Sequence, residues 1–143
     1  MFAYRLEVLR VAEPNFPYAG EDLKDPATVF QFAKGIDRYD TEQFVTLFLN
    51  PRNRLIGMTK QSGTPSTIIV YPREIVKTAL LCSASCLIFA HNHPSGNLSP
   101  SPEDIHLTRE LQKSLKLINV EVLDHVILNG KYFHSMRESG QIG

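Results

Sequence analysis

The sequence predicts an α/β domain, a mixed β-sheet with helices packed on its faces. Two observations carry that prediction. Short apolar and β-branched runs recur at 44–49, 67–71, 86–90 and 120–128. Between them stand prolines placed to open helices, at Pro26, Pro72 and Pro102. Strands that alternate with helices in this way build a sheet covered on both sides.

Residues 4–11 alternate loosely through Leu6 and Val8 and read as an edge strand; 13–25 hold Pro14, Pro17 and Gly20 and read as a loop. Together, 1–24 form an extension ahead of a domain at 25–143. Asp25 caps a helix with Pro26 in its first turn, and Val29, Phe30, Ala33 and Ile36 face inward. The run 44–49 is almost wholly apolar, as in a strand buried on both faces. Residues 50–53 turn the chain at Pro51, and 54–59 return as a hairpin partner. The β-branched run 67–71 predicts a third strand. Pro72 opens a helix reaching about Ser83, with Ile75, Val76, Ala79 and Leu80 inward. Residues 86–90 are a central strand that delivers the chain to His91. Ser101 caps the next helix, whose apolar stripe is Leu107, Leu111, Leu115 and Ile118. A long strand spans 120–128, Asn129-Gly130 marks a two-residue hairpin, and 132–135 return.

With 143 residues, 43% apolar and 21% charged, the chain has the mix of one globular domain with a real core. No apolar run reaches the ~18–20 residues of a membrane span, and charges throughout 1–10 argue against a secretory signal. Fifteen basic residues balance fifteen acidic ones, so the basic excess of a duplex-binding module is missing. Cys82 and Cys86 lie four apart with no CxxC pair; two buried thiols in a reducing cytoplasm is the expectation.

The chemistry is concentrated in His91-Asn92-His93-Pro94-Ser95-Gly96 and Ser101-Pro102-Glu103-Asp104. Two imidazoles two residues apart point the same way at a strand end. Asp104 stands three residues before Leu107, on the inward face of the helix, in the first turn where negative charge is favoured. Two histidines and a carboxylate give zinc three protein ligands, and a fourth position left to water marks a catalytic site. Each half has a bland alternative. Ser-x-x-Asp is close to a capping box that only satisfies helix amides, and a lone His-x-His says little. Their joint occurrence after a buried strand points to a metal. A hydrolytic zinc also needs a base. Glu42, just before the 44–49 strand, is the candidate, although charged residues at strand ends are usually solvated.

These residues resemble the RadC family, a bacterial branch of the JAMM (MPN-plus, JAB-type) metalloprotease superfamily. The superfamily pattern is a Glu before a strand, His-x-His-Pro, and a Ser-x-x-Asp that follows, matched here by Glu42, His91 to Pro94 and Ser101 to Asp104. The RadC branch adds Pro100-Ser101, Gly63-Thr64, Pro72-Arg73-Glu74 and Leu123-Asp124-His125. The resemblance covers about 25–135. It implies a JAB/MPN-like architecture of cytidine-deaminase-like layout. It also implies one Zn2+ per chain on His91, His93 and Asp104, with Glu42 as general base and Ser101 as donor to the oxyanion. The implied reaction is hydrolysis of a peptide or isopeptide bond in a peptide or protein substrate. Asn92 replaces the Ser or Thr usual in eukaryotic members, and Tyr71 stands where the branch often has His. Longer members carry an N-terminal helix-hairpin-helix region associated with DNA contact, and this chain starts too late for one, which weakens the DNA-repair role the family label suggests.

Other readings fit the sequence less well. His-Asn-His as three contiguous letters does not match a nuclease motif spread over tens of residues, and the deaminase pairing of H-x-E with P-C-x-x-C is missing. A catalytically silent scaffold is opposed by five filled positions. His106, His125 and His134 read as structural, with His125 and Asp124 on opposite strand faces. Ser95, Asn97 and Ser99 read as turn residues. Whether the chain acts as a monomer or a homodimer is open at this level.

Overall fold

The computed structural model describes Ala3, Arg5, Asp22, Leu23 and residues 25–143. Apart from Arg5, the expected edge strand at 4–11 lies outside the described residues, as does most of the 13–25 loop. The element order is α1 (Pro26–Ala33), a 3-10 turn (Ile36–Arg38), β1 (Gln43–Leu49), β2 (Leu55–Ser62), α2 (Pro72–Leu81), β3 (Cys86–Asn92), α3 (Pro102–Lys116), β4 (Glu121–Leu128) and β5 (Phe133–Ser135). The strands form one sheet in the order β2-β1-β3-β4-β5. Only β3 and β4 pair in parallel, joined by the α3 crossover, so the sheet is mixed as expected.

The central strands β1 and β3 are buried along their whole length. Their alternating side chains feed two separate cores. Val45, Leu47 and Leu49, with Ile88 and Ala90, pack beneath Val29, Phe30 and Ala33 of α1. Phe44, Phe48, Leu87 and Phe89 pack against Ile75 and Ala79 of α2 and Leu111 and Leu115 of α3. Asp25 caps α1, accepting from the Thr28 amide at 2.8 Å, and Gly35 at φ 113° ends that helix, so Ile36 reaches the core from the separate 3-10 turn.

Four expectations need correction. Residues 67–71 form no regular element and join no ladder. Thr67 turns back instead, its carbonyl accepting from the Thr64 amide at 2.8 Å, and the sheet ends at β2. β-branched residues suit any extended backbone, so composition alone does not supply a partner strand. In α2, Leu80 is exposed at 57%, while Ile75 and Ala79 carry the packing. β2 continues to Ser62, past the expected 59. The last hairpin has four loop residues: Leu128 pairs with Phe133, and Asn129 Oδ1 accepts from the amides of Lys131 and Tyr132.

Candidate metal centre

The site forms at the carboxyl end of β3, where α/β sheets commonly hold ligands. Phe44 pairs with His91 across the β1–β3 ladder, and the same register carried outward sets Glu42 opposite His93. Glu42, Phe44 and His91 therefore share the sheet face covered by α3. Beyond His93 the chain turns sharply, the Gly96 amide donating to the His93 carbonyl at 2.8 Å with Gly96 at φ 85°. That left-handed conformation favours glycine. The turn sends the chain to Ser101 and the start of α3, bringing Asp104 back over the histidines.

His91 Nε2 and His93 Nε2 lie 2.8 Å apart, and Asp104 Oδ2 lies 3.1 Å from His93 Nε2 and 3.4 Å from His91 Nε2. Among the described residues, these three form the one cluster of metal-ligating side chains. Two imidazole nitrogens and a carboxylate oxygen converging in this way form a donor set that could hold a divalent metal ion. His93 Nδ1 donates to the Asn97 carbonyl at 2.7 Å, which leaves its Nε2 lone pair facing the cluster. The capping box forms as well: Ser101 Oγ accepts from the Asp104 amide at 3.0 Å, and Asp104 Oδ2 accepts from the Ser101 amide at 2.8 Å. The two readings of Ser-x-x-Asp are thus compatible. The cap holds the carboxylate oriented while the same oxygen faces the imidazoles.

Electrostatics reinforce the cluster. Burial opposes ionisation of Asp104, but in the metal-free site hydrogen bonds from His91 and His93 in their protonated, imidazolium form outweigh it and hold the carboxyl well below the usual carboxylate range. The Asp104 hydrogen bond raises the pKa of His93 against the opposing effect of burial. Glu42 is 8% exposed, so the expectation of an ordinary solvated residue is overturned. Burial raises its pKa, partly offset by the charge of His91 and His93. Its backbone is pinned on both sides, the Glu42 amide donating to Thr64 O at 2.8 Å and the Gly63 amide to Glu42 O at 2.7 Å.

Glu42, His93, Ser101 and Asp104 line a cleft of about 890 Å³. Its floor is the turn after β3 and the start of α3, and its wall is the loop segment 65–70. Ser95 is exposed at its rim, with Oγ accepting from the Asn97 amide.

Sequence reasoning set His125 aside. It is 1% exposed, with Nε2 2.6 Å from His91 Nδ1 and Nδ1 2.7 Å from Thr108 Oγ1. Burial lowers its pKa well below the usual histidine range, and the charge of His91 adds to this. Asp124 does point elsewhere, accepting from Ser135 Oγ at 2.6 Å and from the amides of His125 and Arg137. His106 is exposed, and His134 bonds Gln141. Cys82 and Cys86 form no disulfide.

The RadC-like JAB domain model matches residues 23–141, and the chain belongs to that family. It is 42% identical over 139 residues to a UPF0758 protein of Ralstonia nicotianae, covering 96% of this chain and 62% of that protein. A UPF0758 protein of Herminiimonas arsenicoxydans is 45% identical over 126 residues, 87% of this chain and 56% of the relative. One from Rubrobacter xylanophilus is 41% identical over 142 residues, 98% and 60% respectively. The chain thus spans about three-fifths of the length of these curated relatives. Among the described residues, no helix is long and apolar enough to cross a membrane.

Proposed function

We propose that the chain is a zinc-dependent hydrolase that cleaves a peptide or isopeptide bond in a peptide or protein substrate. One observation carries the reading: two imidazole nitrogens and a carboxylate oxygen converge within 3.4 Å of one another, and a buried carboxylate, Glu42, lines the same cleft. His91, His93 and Asp104 hold the ion, which when bound supplies Lewis acidity and acidifies water.

The protein's own groups handle positioning and protons. Glu42 takes a proton from the attacking water and returns it to the leaving amine. Its raised pKa brings it closer to neutrality, where a general base works best. Ser101 Oγ accepts from the Asp104 amide, which leaves its own hydrogen available to a substrate oxygen at the cleft. Losing one such donor typically costs ~10²–10³ in rate. The walled cleft orients an extended chain over these groups.

The test combines elemental analysis with a peptide-library cleavage screen on zinc-loaded protein. The expected result is about one zinc per chain, cleavage by the wild type, and an E42Q variant that keeps zinc but loses cleavage. Protein that neither contains nor takes up metal overturns the metal assignment. Equal cleavage by E42Q removes Glu42 from the role of base.

A further inference from the structure

Behind the three proposed ligands runs a line of hydrogen bonds whose proton positions are dictated from one end. Thr108 Oγ1 lies 2.7 Å from the Asp104 main-chain carbonyl, one turn back along α3. A carbonyl has no proton to give, so the single hydroxyl hydrogen of Thr108 is committed to it. The 2.7 Å contact between Thr108 Oγ1 and His125 Nδ1 must then run the other way, with Nδ1–H donating to the hydroxyl. A neutral imidazole carries one N–H, so His125 Nε2 is left as an acceptor. His91 Nδ1, 2.6 Å away, has to donate to it, and the lone pair of His91 Nε2 then turns toward His93 and Asp104.

We infer that His125, oriented by Thr108, is a positioning residue that fixes the tautomer and ring plane of His91 for metal binding. The inference rests on the metal reading of the site. His125 does not line the cleft, and its ring nitrogens bond His91 and Thr108, so its direct hydrogen bond to the ligand side chains is the one to His91. The rings of Phe44 and Phe89 stand edge-on to His125 at 5.5 and 5.8 Å between centroids. They hold the imidazole in place and offer its nitrogens no competing acceptor. The register supports a built arrangement. One extra residue in β4, where Leu87 pairs with Val122 but Ile88 with Asp124, shifts the phase of the strand. That bulge turns His125 onto the α3 side of the sheet, the side His91 faces. A ligating histidine that donates its second nitrogen to a fixed partner is a general device for orienting a metal site, and removing such a partner typically costs 10–100-fold in metal affinity. Here the partner is a second neutral histidine, whose own polarity is set by a main-chain carbonyl of the helix that carries the third ligand.

The experiment has two arms. Nitrogen-15 NMR of histidine-labelled, zinc-loaded wild type should show His125 protonated at Nδ1 with a bare, unmetallated Nε2, and His91 protonated at Nδ1 with Nε2 on zinc. A proton on His125 Nε2 overturns the inference, and this arm needs no variant to fold. Zinc titrations then compare wild type with H125F and H125Q, whose metal-free forms are checked by thermal melting. H125F should weaken zinc binding by about 10–100-fold. H125Q, whose amide oxygen can accept near the position of Nε2, should recover most of the loss. Wild-type affinity in H125F, or no recovery in a folded H125Q, overturns the role of His125 while leaving the metal reading intact. Failure of the wild type itself to bind zinc overturns the metal reading, and this inference falls with it.

Discussion

The side-chain oxygen of Asn92 accepts a hydrogen bond from the amide of Gln43 at 2.6 Å, joining the residue between the two histidines to the residue after Glu42. Asn92 is 1% exposed, and its amide nitrogen donates to the carbonyl of Thr41 at 3.1 Å. It points to the α1 side of the sheet, away from the cleft, and clamps the entry of β1 to the exit of β3. This accounts for asparagine at this position: a serine or threonine side chain is too short to span acceptor and donor together. N92A should lower stability by about 1–3 kcal/mol, because it leaves a buried amide unpaired. Urea denaturation would read this, and the variant should also lose cleavage activity beyond its loss of zinc affinity, since the residues on either side of Glu42 lose their tie to β3.

Gly63 has no room for a side chain. An added Cβ would collide with the Thr67 carbonyl oxygen and sit 2.8 Å from Ile68 Cβ. Because Gly63 and Thr64 grip the backbone of Glu42, G63A should push the cleft wall outward and loosen the base. The expected result is a stability loss of about 1–3 kcal/mol, near-normal zinc content and reduced turnover. Unchanged turnover with unchanged stability would show that the wall yields freely.

Burial pushes the Cys86 thiol up to about 11, and the nearby Glu121 adds to the shift. The folded thiol therefore keeps its proton at pH values where the unfolded one, near 9.0, has lost it. Between those values the unfolded state binds fewer protons, so stability should fall as pH rises from about 9 toward about 11. C86A should flatten this part of the profile. In alkylation followed by mass spectrometry, half-buried Cys82 should react well before Cys86.

Thr46 Oγ1, in the middle of β1, is buried without a hydrogen-bond partner among the described residues. T46V keeps the shape and removes the unpaired hydroxyl, so it should raise stability by about 1 kcal/mol. A shift of the denaturation midpoint to lower urea would show that the hydroxyl is satisfied in solution.

Much of this was legible in the chain because local chemistry dictates it. Asp25-Pro26 and Ser101-Pro102 open helices by capping and fixed φ, and the largely apolar runs at 44–49 and 86–90 become the two central strands. The three proposed ligands were found because His-x-His at a strand end and Asp in a first turn each carry a direction. Glu42 was harder, since its burial comes from the β1–β3 register and the Gly63 turn, neither of which its neighbours in sequence encode. His125 was invisible for a sharper reason. Strict alternation assigns it a face, but the bulge in β4 changes the phase, and no residue type announces where the bulge falls. One hint was present: His125 is an imidazole beside the apolar run Val126, Ile127 and Leu128.

The wall at 65–70 takes no part in the sheet's ladders, whereas the ion's proposed holders stand on β3 and α3. The proposed ligands and the cleft wall are thereby carried on separate stretches of polypeptide. Pro65, Ser66 and Ile69 are exposed positions of that wall, open to exchange for a different target, while Val70 stays tied to the core, Gly63 and Thr64 to the backbone of Glu42, and Thr67 to Thr64.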